Sequence, residues 1–290
     1  MNYTDLIKSI LRGIGQVMLQ NNAITGLIFL IGIFYASWLS GIGALLGVIV
    51  GTFTAIILKY KDKDIRDGLY GFNGTLVGIA LLLFFEPTSL LFIFLILAVI
   101  LSVVITNFMY EKKLLPYTFP FVVSTWLFIF LIRLLSISTS TISKSLVFTK
   151  IDFVSGISLG FSQVMFQASI LTGILFFIAI LINSRISAFY ALLGSLLGLM
   201  FSLLFFPLSL NLINLGIFGF NGVLCGIVFS NRKWSDVINI VFAIISIVLS
   251  VIILYGFLAL NIIALTAPFV FATWIIIFIK NKIQKTFVTK

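Results

Sequence analysis

Residues 13–26, GIGQVMLQNNAITG, return at 160–173 as GFSQVMFQASILTG, with seven of fourteen positions identical at an offset of 147. Working outward, residues 68–78, GLYGFNGTLVG, match 216–226, GIFGFNGVLCG, at seven of eleven positions, and 118–126, TFPFVVSTW, match 266–274, TAPFVFATW, at six of nine. Both later pairs sit at an offset of 148, so one residue is inserted after the first block. An apolar composition makes chance identities common. It does not place Gln, Asn, Thr, Pro and Trp at matching positions in the same order. The chain is therefore written twice, with a first repeat over 1–140, a linker over 141–155 and a second repeat over 156–290.

The composition places both copies in a membrane. Of 290 residues, 61% are hydrophobic and 9% charged, and the mean hydropathy is +1.28, whereas a soluble domain carries about 25% charged residues. Apolar runs of membrane length recur from end to end, and about ten spans of ~20 residues fill the chain with only short loops between them. Asp5, Lys8 and Arg12 precede the first apolar run without a compact signal-peptide pattern, so the first segment is expected to be retained.

Loop charges decide whether the copies are parallel or inverted, because Lys and Arg in short loops favour the cytoplasm. Loop 59–67 carries Lys59, Lys61, Lys63 and Arg66 while its counterpart 207–215 carries none, and Lys112 and Lys113 face an empty 256–264. The sense reverses elsewhere: 35–40 is empty where 182–187 has Arg185, and 83–89 is empty where 230–236 has Arg232 and Lys233. Equivalent loops thus lie on opposite sides. With five spans per repeat and both termini cytoplasmic, only Arg133, Lys144 and Lys150 of the 18 basic residues fall outside. The expected fold is an all-α polytopic membrane protein of two inverted repeats, about five helices each, with discontinuous or re-entrant half-helices around a central pore, an architecture of transporters and channels. The net charge of +10 is a topology signal and gives no reason to invoke nucleic acid.

Several chemistries are excluded. There is no histidine, which removes the commonest general base and a frequent metal ligand; no metal or other cofactor is expected. Cys225 is the sole cysteine and reads as a small core residue. Glu86, Glu111, Asp152, Asp236 and the group Asp62, Asp64 and Asp67 all fall at breaks, whereas proton and ion pathways use ionisable groups at membrane depth. An intramembrane enzyme would want a carboxylate pair, an activated serine or a metal. A non-enzymatic conductor of a neutral solute remains.

The polar residues left inside the spans are neutral and duplicated: Gln16 and Gln20 with Gln163 and Gln167, Asn73 with Asn221, Thr118 with Thr266. Buried amides without partners cost ~1–3 kcal/mol, so they either glue helices together or line a path. Their symmetric occurrence beside glycine and proline favours the path. Gly68, Gly71, Gly74 and Gly78 interrupt one apolar stretch and Gly216, Gly219, Gly222 and Gly226 its partner, and Pro116, Pro120 and Pro268 mark further breaks. Irregular backbone at membrane depth is tolerated where protein buries it or water lines it. The pairs Gly47/Gly51 and Gly194/Gly198 read instead as close helix packing.

The motif Gly-Leu-x-Gly-(Tyr/Phe)-Asn-Gly-x-Leu-x-Gly, followed by a Leu-Pro-x-x-Thr-x-Pro-Phe block, both in duplicate, resembles the urea transporter family, and the paired blocks extend from 13 to 274. The resemblance implies passive urea channels of the cell membrane, assembled as homotrimers, each protomer with its own pore between inverted halves. It further implies that Phe72 and Phe220 form aromatic walls of two narrow slots beside Asn73 and Asn221, that Gln16 with Val17 and Gln163 with Val164 line them opposite, and that Thr118 and Thr266 meet at the constricted middle. Some relatives carry an acid where these glutamines stand. The second block departs from the pattern with Ile263 and Ala264 in place of Leu-Pro, and Pro116 sits one residue nearer its threonine than usual.

Urea suits such a lining. It is flat and neutral, with one carbonyl and two amino groups, so apolar walls select its thickness while a line of oxygens accepts its N–H bonds, much as carbonyl rings replace ion hydration. Channels for ammonia, water or short amides would use similar groups, as would an electroneutral secondary transporter. A receptor or membrane enzyme is the more distant alternative.

Overall fold

A computed structural model describes residues 2–135, 138, 139, 150–205, 209–230 and 237–288, with side chains described to residue 283. Lys144, Arg232, Lys233, Asp236 and linker positions 141–149 lie outside the described residues. Apart from an isolated bridge between Phe85 and Thr139, the regular structure among the described residues is helical.

The first repeat runs α1 (Tyr3–Gln16), α2 (Ala23–Ala36), α3 (Trp38–Ile57), the short α4 (Asp62–Arg66), α5 (Phe72–Phe84), α6 (Ser89–Glu111) and α7 (Phe119–Leu134). The second repeats the order as α8 (Phe153–Ser162) with a 3-10 turn at Gln163–Met165, α9 (Ile170–Asn183), α10 (Arg185–Phe205), α11 (Leu210–Asn214), α12 (Phe220–Phe229), α13 (Val237–Ala259) and α14 (Ala267–Val288). Two compact units result: Met1–Ser145 with Met165–Gln167, and Leu146–Val164 with Ala168–Lys290.

Five helices among the described residues are long and apolar enough to cross a bilayer, and the pair 153–165 and 170–183, bent by 75°, brings the number to six where it is counted as one broken span rather than a re-entrant loop. Ala23–Ala36, Phe72–Phe84 and Phe119–Leu134 are apolar but shorter. A 14-residue helix is about 21 Å long, short of the ~30 Å hydrocarbon core. Such pieces cross only in combination, as expected of a polytopic membrane protein with broken helices. The helices that follow the first break of each repeat open with side-chain caps: Asn22 Oδ1 accepts from Ile24 N (2.8 Å) and Thr25 N (3.2 Å) at α2, and Ser169 Oγ accepts from Thr172 N (3.2 Å) at α9, relieving otherwise orphaned donors.

Within each unit the tightest seam is made of facing glycines. A Cβ on Gly47 of α3 would strike the carbonyl oxygen of Gly74 on α5, and one on Gly194 of α10 would strike that of Gly222 on α12. Gly74 and Gly222 thus lie within continuous helices and serve close approach. The chain breaks instead just before them, at Gly68 (φ +75°) and Gly216 (φ +71°), where left-handed backbone favours glycine.

In the first unit, the segments carrying Arg12, Lys59–Arg66 and Lys112 gather at one end. Arg66 pairs with Asp5 (3.2 Å) and Asp62 (2.7 Å), Arg12 donates to Arg66 O (3.0 Å), and Tyr60, Tyr70 and Tyr110 pack ring to ring. The corresponding end of the second unit holds Lys150, whose carbonyl accepts from Asn214 Nδ2 at 2.6 Å. Its opposite end carries Lys280, which donates to Asn239 Oδ1 (2.6 Å) and lies over the rings of Phe229 and Phe242.

Asp152 caps α8. The Ser155 hydroxyl (2.7 Å) and then its N–H (3.1 Å) hold the carboxylate below its ordinary range. A depressed folded-state value means that the stabilisation is fully present above about pH 4 and is lost as pH falls through the lowered value. The thermal-stability advantage of the wild type over Ser155→Ala, measured in detergent across a pH series, is accordingly expected to shrink below about pH 4.

Candidate functional site

The first break follows Gln16. Val17 and Met18 continue the turn, Leu19 is left-handed (φ +58°), and Gln20 N returns to Gly15 O at 3.1 Å. The second break has the same course, with Phe166 at φ +60°. Gln20 Nε2 donates to Met18 O (2.7 Å) and Gln167 Nε2 to Met165 O (2.6 Å). These two amides therefore satisfy carbonyls that the broken helix sets free within their own turn.

Gln16 and Gln163 differ despite their matching positions. Gln16 is 8% exposed and its Nε2 donates to Asp67 O at 2.9 Å. Gln163 is half-buried, and its side chain has no hydrogen-bond partner among the described residues. Val17 and Val164, one residue on, are buried. Phe166 belongs to the first unit, where its ring stands edge-on to Phe84 (6.2 Å between centroids) and Phe121 (6.1 Å).

Phe72 and Asn73 open α5, and Phe220 and Asn221 open α12; all four are buried. Asn73 Nδ2 donates to Thr106 Oγ1 and to Tyr117 O, both at 3.3 Å, and its Oδ1 accepts from Phe121 N at 3.2 Å. Thr118 is the N-cap of α7, yet makes no side-chain capping bond. Asn73 supplies that cap from another helix. Asn221 does the same for α14, accepting from Phe269 N at 3.2 Å, but its buried Nδ2 has no partner among the described residues. One of the two acceptors is removed by a substitution between repeats, since Leu254 stands where the first repeat has Thr106; the carbonyl of Leu265, the counterpart of Tyr117 O, is present but is not engaged by it.

Thr118 and Thr266 are buried, and each follows a left-handed residue, Tyr117 (φ +43°) and Leu265 (φ +49°). The backbone course is thus shared although Ala264 replaces Pro116. In each unit the structure joins the asparagine to the turn bearing the threonine. Among the described residues no group of three or more His, Cys, Asp or Glu is placed to hold a metal.

Phe166, Asp67 and Thr106 were not singled out by the sequence. Phe166 is a bulky residue in a conformation that glycine usually marks, and Asp67 acts through its backbone carbonyl, which carries no sequence signature. Thr106 has no counterpart in the second repeat, so the duplication did not flag it. The Met-x-Gln spacing at 18–20 and 165–167, identical in both copies, is the one sequence sign of the left-handed corner between them.

A family model described as urea transporter matches residues 7–281. The chain is similar to Urea transporter 1 of Mus musculus, 28% identical over 236 residues that cover 74% of this chain and 60% of that protein. It is also similar to Urea transporter 1 of Rattus norvegicus, 27% identical over 209 residues, covering 65% and 54% respectively. A shorter stretch of 75 residues is 36% identical to Urea transporter 1 of Ovis aries, covering 26% and 20%. The matched regions span about half to three-fifths of the length of the first two relatives.

Proposed function

The chain belongs to the urea transporter family, and from that premise we infer that it conducts urea passively, through narrow slots with aromatic walls and hydrogen-bond acceptors. The observation that carries this reading is the doubled break: a glutamine and a buried valine close one half-helix, and a buried phenylalanine opens another, in both units. Phe72 with Gln16 and Val17, and Phe220 with Gln163 and Val164, form the two slots. Thr118 supplies a further acceptor in the first unit and Thr266 in the second. Asn73 holds the threonine-bearing turn, both its N–H donors being committed to protein; Asn221 does the same and retains a donor.

A planar solute sheds its hydration in steps. The aromatic faces exclude anything thicker, while amide and hydroxyl oxygens take over the N–H bonds that water gives up. An ion loses far more hydration energy than such neutral groups return. Weak sites in series let the solute leave, and no chemical transformation is involved. We place the protein in the cell membrane with cytoplasmic termini, the side that basic loops favour, and as a homotrimer, which native mass spectrometry in mild detergent tests.

Stopped-flow light scattering on liposomes containing the purified protein tests the central claim. Urea equilibration faster than in empty liposomes, without a proton or sodium gradient, is expected; unchanged permeability, or a gradient requirement, refutes it. Phe220→Ala is expected to raise the flux of 1,3-dimethylurea relative to urea by about tenfold, because one wall of a slot is removed. An unchanged ratio in folded protein would return Phe220 to a packing role.

A further inference from the structure

We infer that Asn21 and Asp67 form a latch that fixes which end of the Gln16 amide faces the solute. The inference rests on the proposed urea pathway and deepens it. Gln16 Nε2 donates to Asp67 O at 2.9 Å. A carbonyl oxygen only accepts, so the amide nitrogen points at it and the amide oxygen points away. No described residue donates to that oxygen. A free glutamine turns either edge towards a solute; this one presents an acceptor.

Asp67 ends α4, next to left-handed Gly68, where a Cβ would strike the backbone of Gly13 on α1. The turn is therefore pressed against α1, close to Gln16. The Asp67 carboxylate in turn accepts from Asn21 Nδ2 at 2.9 Å. Asn21 lies in the break between α1 and α2, so one residue ties the break to the turn with its side chain and holds Gln16 with its carbonyl. The second repeat lacks both partners. Leu215 stands in place of Asp67 and Ala168 in place of Asn21, and the Gln163 side chain has no partner among the described residues. The two glutamines are thus chemically unequal. Gln16 is a fixed acceptor that rewards solutes with N–H donors, and Gln163 is an amide that accepts either edge.

Asn21 and Asp67 are positioning residues that do not touch solute, so the test reads selectivity together with flux. Liposomes carrying the wild type, Asn21→Ala, Asp67→Ala, their combination, and the exchange Asn21→Asp with Asp67→Asn are compared for urea and 1,3-dimethylurea flux. Each single variant is expected to lower the urea preference by about two- to fivefold, the worth of one oriented hydrogen bond. The combined variant should fall no further, and the exchange, which restores a donor and an acceptor, should recover the wild-type ratio. A ratio unchanged in the single variants, or not recovered by the exchange, overturns the latch. Absence of urea flux in the wild type overturns the pathway reading itself. If Asp67→Ala does not fold, Asn21→Ala at its exposed position and the exchange carry the comparison.

Discussion

Gly47→Leu is expected to leave almost no monodisperse protein after detergent extraction. The α3 and α5 backbones meet at this point, where a Cβ on Gly47 would strike the Gly74 carbonyl and one on Gly74 would strike that of Gly47. Neither obstacle is a flexible side chain that could swing aside. A leucine would have to drive two helices apart by its full width, and the seam would lose its dispersion contacts on both sides. Overpacking of this kind costs more than about 4 kcal/mol when backbone must move. Gly256→Ala on α13 is the control, with nothing within 4 Å of the added carbon, and is expected to fold at least as well as the wild type. Fluorescence-detected size exclusion of both variants decides the matter: equal yields would mean that the glycine seam does not set the packing.

Asn73→Ala is expected to destabilise the first unit by about 2–4 kcal/mol, and Asn221→Ala to cost less. The first removes three hydrogen bonds: the donations to Thr106 and Tyr117 O and the acceptance from Phe121 N. It leaves the start of α7 without a cap and the threonine turn without its anchor. The second removes the bond to Phe269 N and relieves an amide donor that has no partner among the described residues. Leu254→Thr gives Asn221 the first repeat's hydroxyl but removes buried methyl groups, so it is expected to lower the melting temperature less than Leu254→Ala does. Thermal unfolding of these variants in one detergent gives the order, and Asn221→Ala proving the more damaging would contradict the hydrogen-bond assignment.

The membrane class and the duplication were legible in the sequence because both depend on composition and on residue order at a fixed offset. The same two breaks were signalled only partly. Glycine at 68 and 216 marked a turn correctly, since left-handed backbone selects glycine there. Gly74 and Gly222 were read as interruptions and lie instead inside helices, because glycine is equally the residue of close helix contact and spacing alone does not separate the two uses. The corners at Leu19, Phe166, Tyr117 and Leu265 left no comparable mark. Matched asparagines suggested a common lining role; the hydrogen bonds give them a common capping role first, and they differ in their donations, one of which depends on Thr106 against Leu254 on another helix.

Those four corners are turned by residues with full side chains, each held in a conformation that costs roughly 1–2 kcal/mol. A joint built from glycine swings, whereas one built from leucine, phenylalanine or tyrosine is wedged in place by what it packs against. Fixed corners describe a sieve more than a machine. If urea passes by the passive route proposed above, it meets no step in which the protein must reopen between molecules, so the rate is expected to climb in proportion to concentration and respond only weakly to temperature.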